Sequence, residues 1–133
     1  MTYRFVACDV GAETDPDGYF IEAGIADLDG FVMLFQCGGD EPDEQEVSLG
    51  FDTHCLVTAD QGTAYGCVRA AELIGNVLRV SLDPAALLDL GLDDPEIEAV
   101  LDVPAEAIAR FREILAKVLA YGRADARPLR VSV

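Results

Sequence analysis

Two apolar runs, Tyr19 to Ala26 and Phe31 to Cys37, flank Asp27-Leu28-Asp29-Gly30. An Asp-Gly step between alternating apolar segments closes a β-hairpin, because glycine takes up the positive φ that the turn demands. This pairing constrains the fold more than any other stretch, since it commits the N-terminal half to strands joined by tight connections. Further runs follow the same rule: Tyr3 to Val10, His54 to Thr58, Thr63 to Leu73 and Val77 to Leu82, separated by turns at Asp15-Pro16-Asp17-Gly18, Asp60-Gln61-Gly62 and Gly75-Asn76. Pro presets φ in such turns and Gly accepts positive values. Neighbours joined by hairpins pair antiparallel.

The last third changes period. Asp83-Pro84 supplies an N-cap with Pro at the first helical position and Leu90-Gly91 supplies a stop, so a short helix spans about Pro84 to Leu90. A longer helix opens at Pro104 and closes at Gly122, with Ile108, Phe111, Leu115, Val118 and Leu119 on one face. Ile97, Ala99, Leu101 and Val103 alternate with Glu98 and Asp102 as a strand does, with a helix capped by Asp94-Pro95 as the alternative, and Leu129, Val131 and Val133 suggest an edge strand at the C-terminus. The expectation is an α+β fold: a mostly antiparallel sheet of about five to seven strands, a short helix, and one long C-terminal amphipathic helix packed on the sheet. At 133 residues, 51% of them hydrophobic, residues 1–133 make one domain with one core.

Charge narrows the function classes. The chain carries 25 acids against 9 bases, a formal charge of −16. Between Arg4 and Arg69 there are fourteen acids and no Lys or Arg, whereas from Ala107 onward six bases outnumber two acids. Such a field draws cationic partners and repels nucleic acid and anionic membrane. The first residues lack the basic patch and apolar run of a secretory signal, and no apolar stretch has the length of a membrane span, so a cytoplasmic protein is expected.

The residues that suggest chemistry have simpler explanations. Cys8, Cys37, Cys55 and Cys67 form no CxxC pair, so buried free thiols are expected in place of disulfides or a zinc site. His54 precedes Cys55, but adjacent side chains on a strand point to opposite faces and cannot act as a dyad. The two Asp-rich turns lack the ligand spacing of a calcium loop, and Gly38-Gly39 is followed by acids that repel phosphate. Catalytic residues, metals and cofactors are therefore not expected. The segment Gly38 to Gly50 holds five acids; as a solvated loop it confers solubility, and as a docking element it presents Asp40, Glu41, Asp43, Glu44 and Glu46, with Asp52 just beyond, to a basic partner surface.

Several of these segments together resemble the tenth immunity-protein family of bacterial polymorphic toxin systems. The matching stretches are Leu34-Phe35-Gln36, the acid loop ending Asp43-Glu44-Gln45-Glu46, Gly50-Phe51-Asp52-Thr53-His54-Cys55-Leu56-Val57, Gly62-Thr63-Ala64-Tyr65-Gly66-Cys67-Val68, and Leu87 to Leu92. The chain departs from the family pattern at His54, where Tyr is typical, and at Cys67, where a second Gly is typical. The resemblance implies a cytosolic protein, usually encoded beside a toxin, that binds the toxin domain and blocks it in the producing cell. A basic toxin surface, such as that of a nuclease, suits the charge. The competing reading is a small-molecule-binding or enzymatic domain with a pocket between sheet and long helix. A third is a homodimer formed through the Leu129 to Val133 edge.

Overall fold

The computed structural model describes residues 2–14, 20–38, 44, 53–59, 62–122 and 127–133. Among the described residues ten strands build two sheets of five, not the single sheet of five to seven strands expected from the sequence. β1 (Thr2–Ala7) and β2 (Asp9–Thr14) lead into β3 (Phe20–Ala26), β4 (Val32–Gly38), β5 (Cys55–Thr58) and β6 (Thr63–Tyr65). Then follow β7 (Val68–Ile74), β8 (Val77–Leu82), a 3-10 turn at Pro84–Ala86 continued by α1 (Leu87–Leu90), β9 (Glu96–Leu101), α2 (Ala105–Leu119) and β10 (Arg130–Ser132). One sheet is an antiparallel meander in the order β2-β3-β4-β5-β6. The other has the order β1-β9-β8-β7-β10 and is mixed, because β1 runs parallel to β9 and β10 parallel to β7.

The split arises at two short breaks. The expected strand Tyr3 to Val10 is interrupted at Cys8, so Ala7 pairs with Leu101 in the mixed sheet while Asp9 pairs with Ala26 in the meander. The expected strand Thr63 to Leu73 is interrupted at Gly66 and Cys67, where Gly66 has φ 63°. That value is strained for any residue with a Cβ, and it turns the chain from β6 into β7. Strands that change sheets in this way form the corners of stacked β-structures.

The hairpin of β3 and β4 forms as the sequence indicates, with Ala26 opposite Val32. The Asp27 carboxylate accepts hydrogen bonds from the Asp29 and Phe31 amides at 2.8 Å, and Gly30 takes φ 94°. The turns at Asp15 to Gly18 and at Asp60-Gln61 lie outside the described residues. The short helix also forms: the Asp83 side chain accepts from the Ala85 amide at 3.0 Å, which caps the first turn.

α2 covers fifteen residues and packs on β2, β3 and β4 of the meander. Phe111, Leu115, Val118 and Leu119 are buried as the periodicity indicates, together with Ile114. It ends at Leu119, three residues before the expected stop, and Gly122 instead makes an isolated antiparallel bridge to Thr53. Pairing with a distant strand end removes Gly122 from the helix terminus. β10 lies at the edge of the mixed sheet, as expected for the tail.

Strict alternation places the core. Ala23, Phe35, Leu56 and Ala64 are cross-strand neighbours in one inward row of the meander, all buried. Leu73 faces Leu78, Leu78 faces Ala99, Ala71 faces Val80 and Val80 faces Ile97 in the mixed sheet. These residues and the buried face of α2 make one continuous apolar cluster.

Candidate functional site

The gap in basic residues maps onto one sheet. All five meander strands fall between Arg4 and Arg69, so none carries a Lys or Arg, whereas the mixed sheet holds Arg4, Arg69, Arg79 and Arg130. One side of the molecule is therefore purely anionic along its strands.

Register sharpens this. On the outward face of the meander, Glu13 pairs with Glu22, Glu22 with Gln36, Gln36 with Cys55, and Cys55 with Tyr65, a polar row crossing all five strands. Gln36 Nε2 donates to the Glu22 carboxylate at 2.7 Å, fixing that acid in place. Two carboxylates directly opposite each other repel, at a cost of about 0.2–1 kcal/mol. No Lys or Arg on the five strands relieves them.

The row lies close to the end of the sheet from which the segment after Gly38 departs and to which the chain returns at Thr53. Of the six acids expected to bind a partner, Asp40, Glu41, Asp43, Glu46 and Asp52 lie outside the described residues, and Glu44 is exposed. The described strand ends bring the attachment points of that segment next to Glu22 and Gln36. Glu13 and Glu22 escaped the sequence reading because their alignment depends on the β2–β3 register, which alternation does not specify.

At the other end of the row, Cys55 is hydrogen-bonded to the half-exposed Tyr65 hydroxyl. Burial pushes both groups above their ordinary values; for Cys55 the Tyr65 hydrogen bond works in the opposite direction, and for Tyr65 the Cys55 contact adds to the rise. Neither is activated as a nucleophile. A neighbouring concavity of about 470 Å³ is lined by residues including Tyr65, Cys67, Arg69, Asp83 and Asp89. It lies beside the short helix, not between a sheet and α2. Arg69 there is bound to Asp83 at 2.6 Å, which holds the aspartate below its ordinary range after the Ala85 amide has done the larger part.

His54 lies one residue before β5, which Cys55 opens. His54 is fully buried, and its Nε2 accepts the Val68 amide at 3.1 Å. Nδ1 has no partner among the described residues. Burial, then the nearby Arg69 charge, lowers its pKa to about 4. The ring is thus neutral when folded and takes up a proton on unfolding below about pH 6.5. Stability is complete above pH 6.5 and falls as pH drops toward 4, by about 3 kcal/mol from this group. In urea melts from pH 7 to pH 4, the difference between wild type and His54→Leu is expected to shrink by that amount; a pH-independent difference would contradict it.

Three of the four thiols are buried, as expected, but Cys8 at the sheet-to-sheet crossing is exposed. Burial raises Cys37 to about 11 and Cys67 to about 12. A thiol-specific disulfide reagent at pH 8 should therefore modify one cysteine rapidly in the native protein and the other three only on unfolding. Rapid modification of two or more would show that the core is not closed around them. Among the described residues no group of three or more potential ligands converges on a metal position, and no helix is long and apolar enough to cross a membrane.

In the comparison with known proteins, the family model described as Immunity protein 10 matches residues 6–109, well over half of the chain. No curated protein and no solved structure matches. The matched span runs from β1 into the first half of α2, and so includes the whole meander and the acid row.

Proposed function

The chain belongs to the immunity protein 10 family, and from that premise we propose that it binds a cognate toxin domain in the cytoplasm of the producing cell and blocks it by covering its surface. No chemistry is required of the inhibitor. The observation that carries the reading is the anionic meander, with Glu13 and Glu22 aligned on a sheet that has no basic residue. We assign partner contact to these two together with Asp40, Glu41, Asp43, Glu44, Glu46 and Asp52, which leave and rejoin the same sheet.

The physical logic is that an inhibitor must reach its target before the target reaches its substrate. Opposite potentials raise association rates by roughly 10- to 1,000-fold over uncharged encounter. A toxin that acts on an anionic substrate, such as a nuclease, has a basic surface, and the acids here stand in for that substrate's charges. In the polar concavity beside the short helix, Asp83 is taken up by Arg69 and by the Ala85 amide, which favours occlusion over catalysis.

The reading is tested by capturing the tagged protein's partners from lysate of its own organism, identifying them by mass spectrometry and titrating salt. The expected result is one protein with a basic C-terminal domain, released as ionic strength rises and, when purified, inhibited by the chain. Recovery of a small metabolite alone, or of a protein the chain does not inhibit, would overturn it.

A further inference from the structure

The outward face of the mixed sheet has a different character from the meander. Read across the strands, Arg4 stands opposite Glu98, Glu98 opposite Arg79, and Arg79 opposite Glu72, a ladder of alternating sign over β1, β9, β8 and β7. Arg4 and Arg79 bind the Glu98 carboxylate at 2.7 and 3.0 Å, and these hydrogen bonds, Arg4's first, hold Glu98 below its ordinary range. Two residues further along the strands, Val6, Val100, Val77 and Ile74 form a parallel apolar row. Val6, Val100 and Ile74 are 53%, 38% and 65% exposed. Among the described residues α2 packs on the meander strands and leaves this face open.

We propose that this face is the contact surface of a symmetric dimer, with a second copy of the same chain as its occupant. Charge complementarity selects that occupant. A molecule of charge −16 repels its own copies over most of its surface, but this face is balanced, Arg4, Arg79 and Arg130 against Glu72, Glu96 and Glu98. An alternating ladder of four becomes its own complement when reversed. Rotation by 180° about an axis parallel to the strands, lying between β9 and β8 in the interface plane, reverses strand order and keeps the level along the strands. Arg4 then faces Glu72 of the second copy, and Glu98 faces its Arg79. The same operation sets Val6 against Ile74 and Val100 against Val77, apolar on apolar. A two-fold contact of this kind uses one self-complementary patch on both copies, and face-to-face sheets pack in near alignment.

Four strands of about six residues give a patch of roughly 20 by 20 Å, on the order of 400 Å² per copy. That is about half of a standard interface, which makes the contact a weak, transient one. The meander and its acids remain outside the contact, so each copy stays free to engage a partner. The inference stands on the strand registers and does not rest on the toxin-binding proposal.

The test is sedimentation equilibrium of the full chain from about 5 to 500 μM at 0.15 M salt, where screening over about 8 Å limits the general repulsion. The wild type is expected to rise from the monomer's mass toward twice that value. Glu72→Arg sets Arg4 against arginine, and Arg4→Glu sets glutamate against Glu72; each variant alone is expected to self-associate at least about tenfold more weakly. An equimolar mixture pairs Arg4 with Glu72 at one site and the introduced glutamate with the introduced arginine at the other, so association returns. That recovery also shows that both variants are folded. A wild type that stays monomeric throughout would overturn the proposal, as would variants that associate like wild type or a mixture no stronger than its components.

Discussion

Replacing Phe35 by alanine is expected to lower the unfolding free energy by about 3–5 kcal/mol, the usual cost of deleting a large core aromatic. Phe35 is fully buried between Ala23 and Leu56 in the inward row of the meander, on the sheet against which α2 packs. Its cross-strand neighbour Ala23 is too small to reach into the space left behind, so a cavity persists on that side in place of a full collapse. The alternation of β4 makes the point specific. Gln36, one residue on, faces outward and binds Glu22, and its loss should cost far less. Leu28→Ala provides the surface control, because that side chain is 89% exposed in the hairpin turn and should change stability by no more than about 0.5 kcal/mol. Urea unfolding of the three proteins decides the matter. A Phe35→Ala loss below about 1 kcal/mol would mean that the meander does not close on α2 as described.

The second large effect is kinetic. Converting Glu13 and Glu22 to Gln, together with Asp40, Glu41, Asp43, Glu44, Glu46 and Asp52 to Asn or Gln, removes eight of the chain's 25 acids, all from the part that lacks a base. Association with a basic toxin domain at low ionic strength is expected to slow by roughly 10- to 100-fold. The wild-type rate should fall toward that of the variant as salt rises, since exposed charges are screened within about 10 Å at 0.1 M. Folding should be intact and even slightly favoured, because Glu13 and Glu22 repel across the β2–β3 pair. Making the two groups of substitutions separately distinguishes the sheet acids from the segment acids. An unchanged association rate at low salt would remove electrostatic capture from the account.

Local signals in the sequence carried the hairpin of β3 and β4, the capped short helix and the apolar stripe of α2, because each depends on residues within a few positions of one another. The division into two sheets was not legible. Tyr3 to Val10 and Thr63 to Leu73 keep an alternating pattern through Cys8 and Gly66, and a corner between sheets leaves that pattern almost unchanged. The parallel pairing of β1 with β9 joins residues about ninety positions apart, and no local feature of either strand announces it. The site shows the same division. The missing bases were visible as composition, but the opposition of Glu13 and Glu22 and the balanced ladder Arg4, Glu98, Arg79, Glu72 exist only once register is set. Aligned like charges on one sheet and alternating charges on the other are therefore structural facts hidden inside a single net charge.

The most direct measurement of the central claim is the growth of a host expressing the captured toxin domain, with and without this chain. The account predicts that the wild type restores growth and that the eightfold-neutralised variant, expressed at equal level, restores it markedly less. If the wild type bound the domain and gave no protection, or if the neutralised variant protected as well as the wild type, inhibition through the anionic meander would be contradicted.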